Sequence, residues 1–214
     1  MSIYLRPVFT ASLANTLLAG ACIHLISAHG QGRRRTLQDL RHLLSGSLQT
    51  FHMNMRSYKF DYKDFIDDLI LQSGSKPSTP QSLDSILKKI ERKPQNSLLI
   101  LHNFDELRCT ESIHAGYSSL FFQALNSIQH RKNIALLCVS EHAFDHYLIQ
   151  ADGSEVVHSN LEAEFIHLPT ITCRQIIAEL RRRNVHLSEN ELQQLASSLR
   201  AQPAPYSALE NIKN

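Results

Sequence analysis

Gly30 and Gly32, followed by Arg33-Arg34-Arg35-Thr36, are the residues of this chain best suited by type and spacing to hold an anion. Glycines let a turn present its backbone N–H groups, and a helix start adds further N–H groups and a positive dipole end at the same point. His29 and Gln31 complete the loop. In the phosphate-loop spacing G-x-x-x-x-G-K-[ST], Ser27 stands at the first glycine, Gly32 at the second, Arg33 at the lysine and Arg34 at the hydroxyl. Arg33 keeps the charge in a bulky planar fork that does not replace a lysine ammonium at a tight site. Three consecutive cations at a helix start each oppose the dipole by roughly 0.3–1 kcal/mol, so the pattern calls for an anionic partner. Guanidinium groups bind phosphate oxygens in bidentate pairs without a metal. The anion is a nucleotide's phosphates or a nucleic-acid backbone.

Other reactive side chains are less organised. Glu141-His142-Ala143-Phe144-Asp145-His146 sets two histidines four apart on a candidate helix face, but with no third ligand at recognisable spacing they read as surface histidines, and no metal site is assigned. Cys22, Cys109, Cys138 and Cys173 form no C-x-x-C pair and read as reduced thiols, which suits a cytoplasmic protein. The uncharged stretch from Pro7 to Ile23 is too interrupted by Thr10, Ser12, Asn15 and Thr16 for a membrane span. The net charge of +2 in 214 residues does not by itself argue for nucleic acid, although Arg33–Arg35 and Arg181–Arg183 are clustered.

The elements that must position the loop follow from periodicity. Residues 8–19 read as an amphipathic helix stopped at Gly20, and 21–27 as a buried strand entering the loop. Thr36 to Leu44 continues as a helix with one apolar stripe; 48–55 alternates weakly as a strand; 62–71 is helical. Gly74 to Pro80 is a loop, after which Ser82 or Asp84 caps a helix carrying Leu83, Ile86, Leu87 and Ile90. Ser97–Leu101 and Asn133–Val139 are continuous apolar runs typical of central parallel strands, with a helix over about 114–129 between them. Asp152-Gly153-Ser154 reads as a turn and Phe165–Leu168 as the last strand. Beyond Pro169 the pattern is helical only: a run from Thr172, a capping-box start at Ser188-Glu189-Asn190-Glu191, and a final helix near Pro205 or Tyr206. The fold class is therefore α/β, a parallel sheet flanked by helices with a small C-terminal helical lid, divided as 1–168 and 169–214.

In order of elements the chain resembles the AAA+ and STAND branch of P-loop NTPases, the modules related to origin-recognition proteins, over nearly its whole length. Ser27 to Thr36 is similar to the Walker A segment, and Leu98-Leu99-Ile100-Leu101-His102-Asn103-Phe104-Asp105-Glu106-Leu107 to the Walker B strand and its turn. Asn133 to Ser140 is similar to the sensor-1 strand, with Ser140 in the polar position. Ala201-Gln202-Pro203 sits where lids carry a Gly-x-Pro turn, Arg200 before it matches a lid arginine, and Leu5-Arg6-Pro7 lies where relatives place a segment beside adenine. The resemblance implies ATP or ADP held by His29, Gly30, Gln31, Gly32, Arg33, Arg34, Arg35, Thr36, Ser140 and Arg200. It implies subunit rings as well, with Arg131 or Arg174 available to a neighbour's site.

The departures fall where hydrolysis is done. That chemistry needs a lysine between the terminal phosphates, a hydroxyl on Mg²⁺ and an acid on the metal. Arg34 occupies the hydroxyl position, His102 the aspartate's and Asn103 the glutamate's, so Mg²⁺ is not expected to be held well. The expected function is a nucleotide-binding switch or scaffold with weak or lost hydrolysis, acting on a protein partner, with homo-oligomers left open and no membrane association. One alternative is an active Mg²⁺-dependent ATPase on a re-registered site, Arg35 and Thr36 with Asp105 and Glu106 as the catalytic acids. The other is a module in which Arg33–Arg35 and Arg181–Arg183 track a nucleic-acid backbone, for which no aromatic interleaving speaks.

Overall fold

Two uninterrupted apolar runs make the centre of the sheet. The computed structural model describes residues 4–74, 81–108, 115–144, 146–150 and 156–212. The chain divides into two compact units, Met1–Ala14 with Ser27–Leu44 and His167–Asn214, and Asn15–Ile26 with Ser45–Ile166.

In the second unit every residue of β3 (Ser97–His102) and β4 (Ile134–Ser140) is buried, as is every residue of β1 (Cys22–Ile26). That is the pattern of strands covered on both faces. With β2 (Gln49–Asn54) and β7 (Glu164–His167) they form a five-stranded sheet of order β2-β3-β4-β1-β7. The pairs β2–β3, β3–β4 and β1–β4 are parallel, and Ile26 lies opposite Ser140 at the carboxyl end of β1. The glycine-loop residues follow Ile26 directly in the chain.

The helices of this unit are set by their caps. Asp61 accepts from the amides of Lys63 and Asp64 to start α4 (Tyr62–Gln72), and Ser82 accepts from Ser85 to start α5 (Leu83–Glu91). A short α3 (Met55–Tyr58) and α6 (Ser119–Asn126) complete the set, with 3₁₀ turns at Phe104–Arg108 and Ser127–His130. Phe65, Tyr117, Phe121 and Phe122 meet edge-on in the core between them.

Two expectations need correction. The helix over 114–129 is shorter, because Ser118 starts α6 late and the last turn tightens to 3₁₀. The two histidines near 142 share no helix: residues 141–144 are irregular and His146 begins β5 (His146–Gln150). β5 pairs antiparallel with β6 (Val156–Asn160), a hairpin that periodicity did not show. The turn at Asp152–Ser154, the loop from Ser75 to Pro80 and Cys109 lie outside the described residues.

The first unit is built from α2 (Arg33–Leu44), α7 (Cys173–Arg182), α8 (Glu189–Arg200) and α9 (Pro205–Glu210). Both long lid helices begin with a full capping box, Thr172 with Gln175 and Ser188 with Glu191. Leu5, Ile171, Ile176, Leu180, Leu192, Ala196, Leu199, Tyr206 and Leu209 pack as its core. The preceding helix, α1 (Pro7–Leu18), carries residues of both units. Among the described residues no helix is long and apolar enough to cross a membrane.

Candidate functional site

The first unit gathers the glycine loop, the start of α2 and the lid. Gly30 and Gly32 have φ of +70° and +79°, a backbone region that glycine enters without strain. The space beside them is also closed to a side chain. A Cβ on Gly30 would lie 2.3 Å from Cβ of Ala204, and one on Gly32 would lie 2.8 Å from the Tyr206 ring and 3.0 Å from Leu5. The Tyr206 amide donates to the Gly30 carbonyl at 2.8 Å, so the start of α9 is seated on the loop.

The first intrahelical bond of α2 runs from the Thr36 amide to the Gly32 carbonyl at 3.0 Å. Arg33, Arg34 and Arg35 precede it in the first turn of α2, the end of a helix at which a phosphate is favoured. Arg33 is half-buried and Arg34 exposed. Arg35 is held inside the unit, with Nε donating to Asp39 at 2.7 Å and Nη1 to Glu179 at 3.2 Å. The dipole argument asked for an external anion on all three arginines; for Arg35 the anion is internal.

Glu179 is a charge hub. Although only 3% exposed, it accepts from Arg35, from Arg182 at 2.6 and 2.8 Å, and from Arg183 at 3.2 Å. Burial pushes its carboxyl upward, but the Arg182 hydrogen bond and the charges of Arg35 and Arg182 outweigh that and hold it below the ordinary value. Arg181 pairs with Glu189. Each arginine of the 181–183 cluster is therefore paired with one of the chain's own carboxylates. Arg183 also donates to the Leu209 carbonyl at 2.9 Å, tying α7 to the end of α9.

Arg6 is the residue sequence reasoning placed only loosely. Its side chain is fully buried and donates to the Pro169 carbonyl at 3.0 Å, the Thr36 hydroxyl at 3.0 Å and the Gln31 carbonyl at 2.6 Å. The Thr36 hydroxyl itself donates to the Gly32 carbonyl at 3.2 Å. Asp39 accepts from the Leu5 amide at 2.7 Å as well as from Arg35. The one signal for Arg6 is its position as the last charge before a long uncharged stretch. His29 and Arg200, at the loop and at the end of α8, are exposed to solvent.

In the second unit, β3 ends at the buried His102, and Asn103 follows with φ of 56°, a left-handed turn that asparagine tolerates. Asn103 donates to the Asn54 side chain at 2.7 Å. Asp105 accepts from the Glu141 amide at 3.2 Å. Glu106 accepts from Arg56 at 2.7 Å and Lys59 at 3.1 Å; these bonds overcome its desolvation and keep its carboxyl low. Ser140, at the end of β4, bonds the His24 Nε2 at 2.7 Å across the β1–β4 pair. Arg131 is engaged by Asp84 at 2.6 Å and Glu91 at 2.9 Å, whereas Arg174 is exposed in the first turn of α7.

Burial drives the His24 imidazole down to about 4 from an ordinary 6.5, against the weaker pull of Asp105. The unfolded chain takes up this proton below 6.5 and the folded chain does not until about 4, so stability falls as pH drops through that window. The full effect is roughly 3 kcal/mol. Urea melts across the window are expected to show that slope, and His24→Gln to flatten it.

No protein-family model matches the sequence, and no curated protein matches it significantly. Solved structures do. Cdc6p from Pyrobaculum aerophilum superposes with a TM-score of 0.59 at 19% identity, over 89% of this chain and 54% of that one. The Drosophila ORC bound to DNA gives 0.61 at 11%, over 98% and 54%. AMPPCP-bound DnaA from Aquifex aeolicus gives 0.53 at 14%, over 97% and 56%. The chain thus spans little more than half the length of the solved chains it matches. It shares with them an AAA+-like fold, a parallel sheet flanked by helices.

Proposed function

We propose that this chain holds ATP or ADP at the Gly30–Gly32 loop, with weak or no hydrolysis, and serves as a switch or scaffold for a protein partner, residues 169–214 acting as the lid of a 1–168 body. The observation that supports it is the commitment of every group a re-registered hydrolytic site would use. Arg35 is paired with Asp39 and Glu179, and the Thr36 hydroxyl lies between Arg6 and the Gly32 carbonyl. Asp105 is engaged by a backbone amide and Glu106 by two cations. Phosphate binding is assigned to the first turn of α2 and the side chains of Arg33 and Arg34, with Ser140 and Arg200 the sensor and lid residues that the family resemblance implies. That one similar structure carries AMPPCP fits a nucleotide at this loop.

Equilibrium dialysis with labelled ATP, in EDTA and in Mg²⁺, tests the reading alongside phosphate release. ATP is expected to bind in EDTA within about threefold of its affinity in Mg²⁺, with no turnover above buffer. Arg33→Ala with Arg34→Ala is expected to weaken binding at least about tenfold, the loss of one charge-assisted contact or more. Mg²⁺-dependent turnover would overturn the proposal in favour of the ATPase. Failure to hold ATP together with steeply salt-sensitive DNA binding would leave the nucleic-acid reading.

A further inference from the structure

We infer that Arg6 is a built-in counter-charge behind the phosphate loop, supplying from within the protein the positive charge that a divalent metal supplies at a hydrolytic site; the inference rests on the nucleotide reading above. Among the described residues its side-chain hydrogen bonds go to neutral oxygens, those of Pro169, Thr36 and Gln31. Among the described residues, the two buried carboxylates of this unit spend their hydrogen bonds on others, and Asp39 reaches Arg6 through its charge alone. Asp39 serves Leu5 and Arg35, and Glu179 serves Arg35, Arg182 and Arg183. A fully buried cation costs several kcal/mol unless an anion compensates it, and carbonyl and hydroxyl dipoles compensate only in part. The arrangement is completed by an anion in the loop.

The geometry places that charge well. The guanidinium is 2.6 Å from the carbonyl of Gln31, the residue between the two glycines of the loop. A buried charge fixed there is screened less than one in water and favours an anion held at the loop. It also takes the Thr36 hydroxyl, which is then closed to a metal ion. Burial lowers the guanidinium to about 10, with the Tyr206 and Asp39 charges pulling it back up, so Arg6 remains a cation at neutral pH. Arg6 is in these terms a positioning residue: its charge favours the anion and its bonds shape the loop.

Arg6→Lys and Arg6→Gln separate charge from shape, lysine keeping the first and glutamine part of the second. Circular dichroism checks that each variant folds. Two probes are used, ATP in EDTA and inorganic tripolyphosphate, the second read as a rise in melting temperature. Arg6→Gln is expected to bind ATP in EDTA roughly tenfold to a hundredfold more weakly, to recover part of that loss with Mg²⁺, and to lose its stabilisation by tripolyphosphate. Arg6→Lys is expected to keep most of both. Arg6→Gln binding ATP in EDTA as tightly as the parent overturns the role of Arg6 while leaving the nucleotide reading intact. Tripolyphosphate protecting the parent and Arg6→Lys but not Arg6→Gln, with no ATP binding in any of them, sinks the nucleotide reading and keeps the counter-charge. Should glutamine unfold the protein, Arg6→Lys decides alone: metal-free ATP binding and tripolyphosphate protection retained support the charge, and their loss in a folded variant overturns it.

Discussion

Replacing Glu179 by alanine is expected to lower stability by about 3 kcal/mol, a large share of what holds a domain of this size together. The magnitude comes from what the carboxylate leaves behind. Arg35, Arg182 and Arg183 all donate to it, and the Arg35 side chain is only 14% exposed. Without Glu179, Arg35 keeps Asp39, but the other two cations face each other at the end of α7 with no buried anion between them. Arg182 is half in solvent and regains water readily, which holds the estimate near the low end for broken buried pairs. Thermal melting would record the loss as a fall of roughly 6–12 °C. Glutamine at 179 keeps the shape and one accepting oxygen of the two, so it should fall between alanine and the parent. A melt unchanged in Glu179→Ala would mean that the three arginines are solvated independently of it.

Gly30→Val is the second large effect. Its φ of +70° is strained for a β-branched residue, and the added Cβ would meet the Cβ and Cα of Ala204 at 2.3 and 2.7 Å. Neither contact involves a flexible side-chain tip that can swing away. The start of α9 must therefore lift, breaking the Tyr206-to-Gly30 hydrogen bond. Hydrogen exchange is expected to show the Tyr206 amide losing protection by at least about a hundredfold, which corresponds to roughly 3 kcal/mol of local stability. Gly46→Ala is the control: its φ is +90°, yet nothing lies within 4 Å of the new Cβ. It should cost only the backbone strain, about 1–2 kcal/mol, and leave the Tyr206 amide protected. If both variants leave that amide equally protected, the lid is not seated on the loop through Gly30.

The sheet was readable in the sequence because burial on both faces writes itself as a continuous apolar run. Leu98–Leu101 and Ile134–Val139 are central strands for that reason, and β1 enters the loop where Ile26 ends. The lid was readable because Ser188 with Glu191 and Thr172 with Gln175 are local pairs. The β5–β6 hairpin was not, since its short strands lack clean alternation. Side-chain partnerships were least visible of all. Arg6 and Pro169 are 163 residues apart, and Arg35 and Glu179 are 144 apart, so no spacing rule joins them. Arg182 and Arg183 do stand three and four residues after Glu179, a helical spacing that could have marked them as paired. A buried charge carries no mark in composition; only the fold tells which of several arginines has left the water.

The amide resonances of Gly30 and Gly32 give the most direct test. Nitrogen-15-labelled protein is titrated with ATP in EDTA and the amides of residues 28–36 are followed. The account predicts that Gly30, Gly32 and the amides of Arg33, Arg34 and Arg35 shift together and saturate, with little further change when Mg²⁺ is added. Shifts confined to other parts of the chain, or appearing only with Mg²⁺, would contradict it.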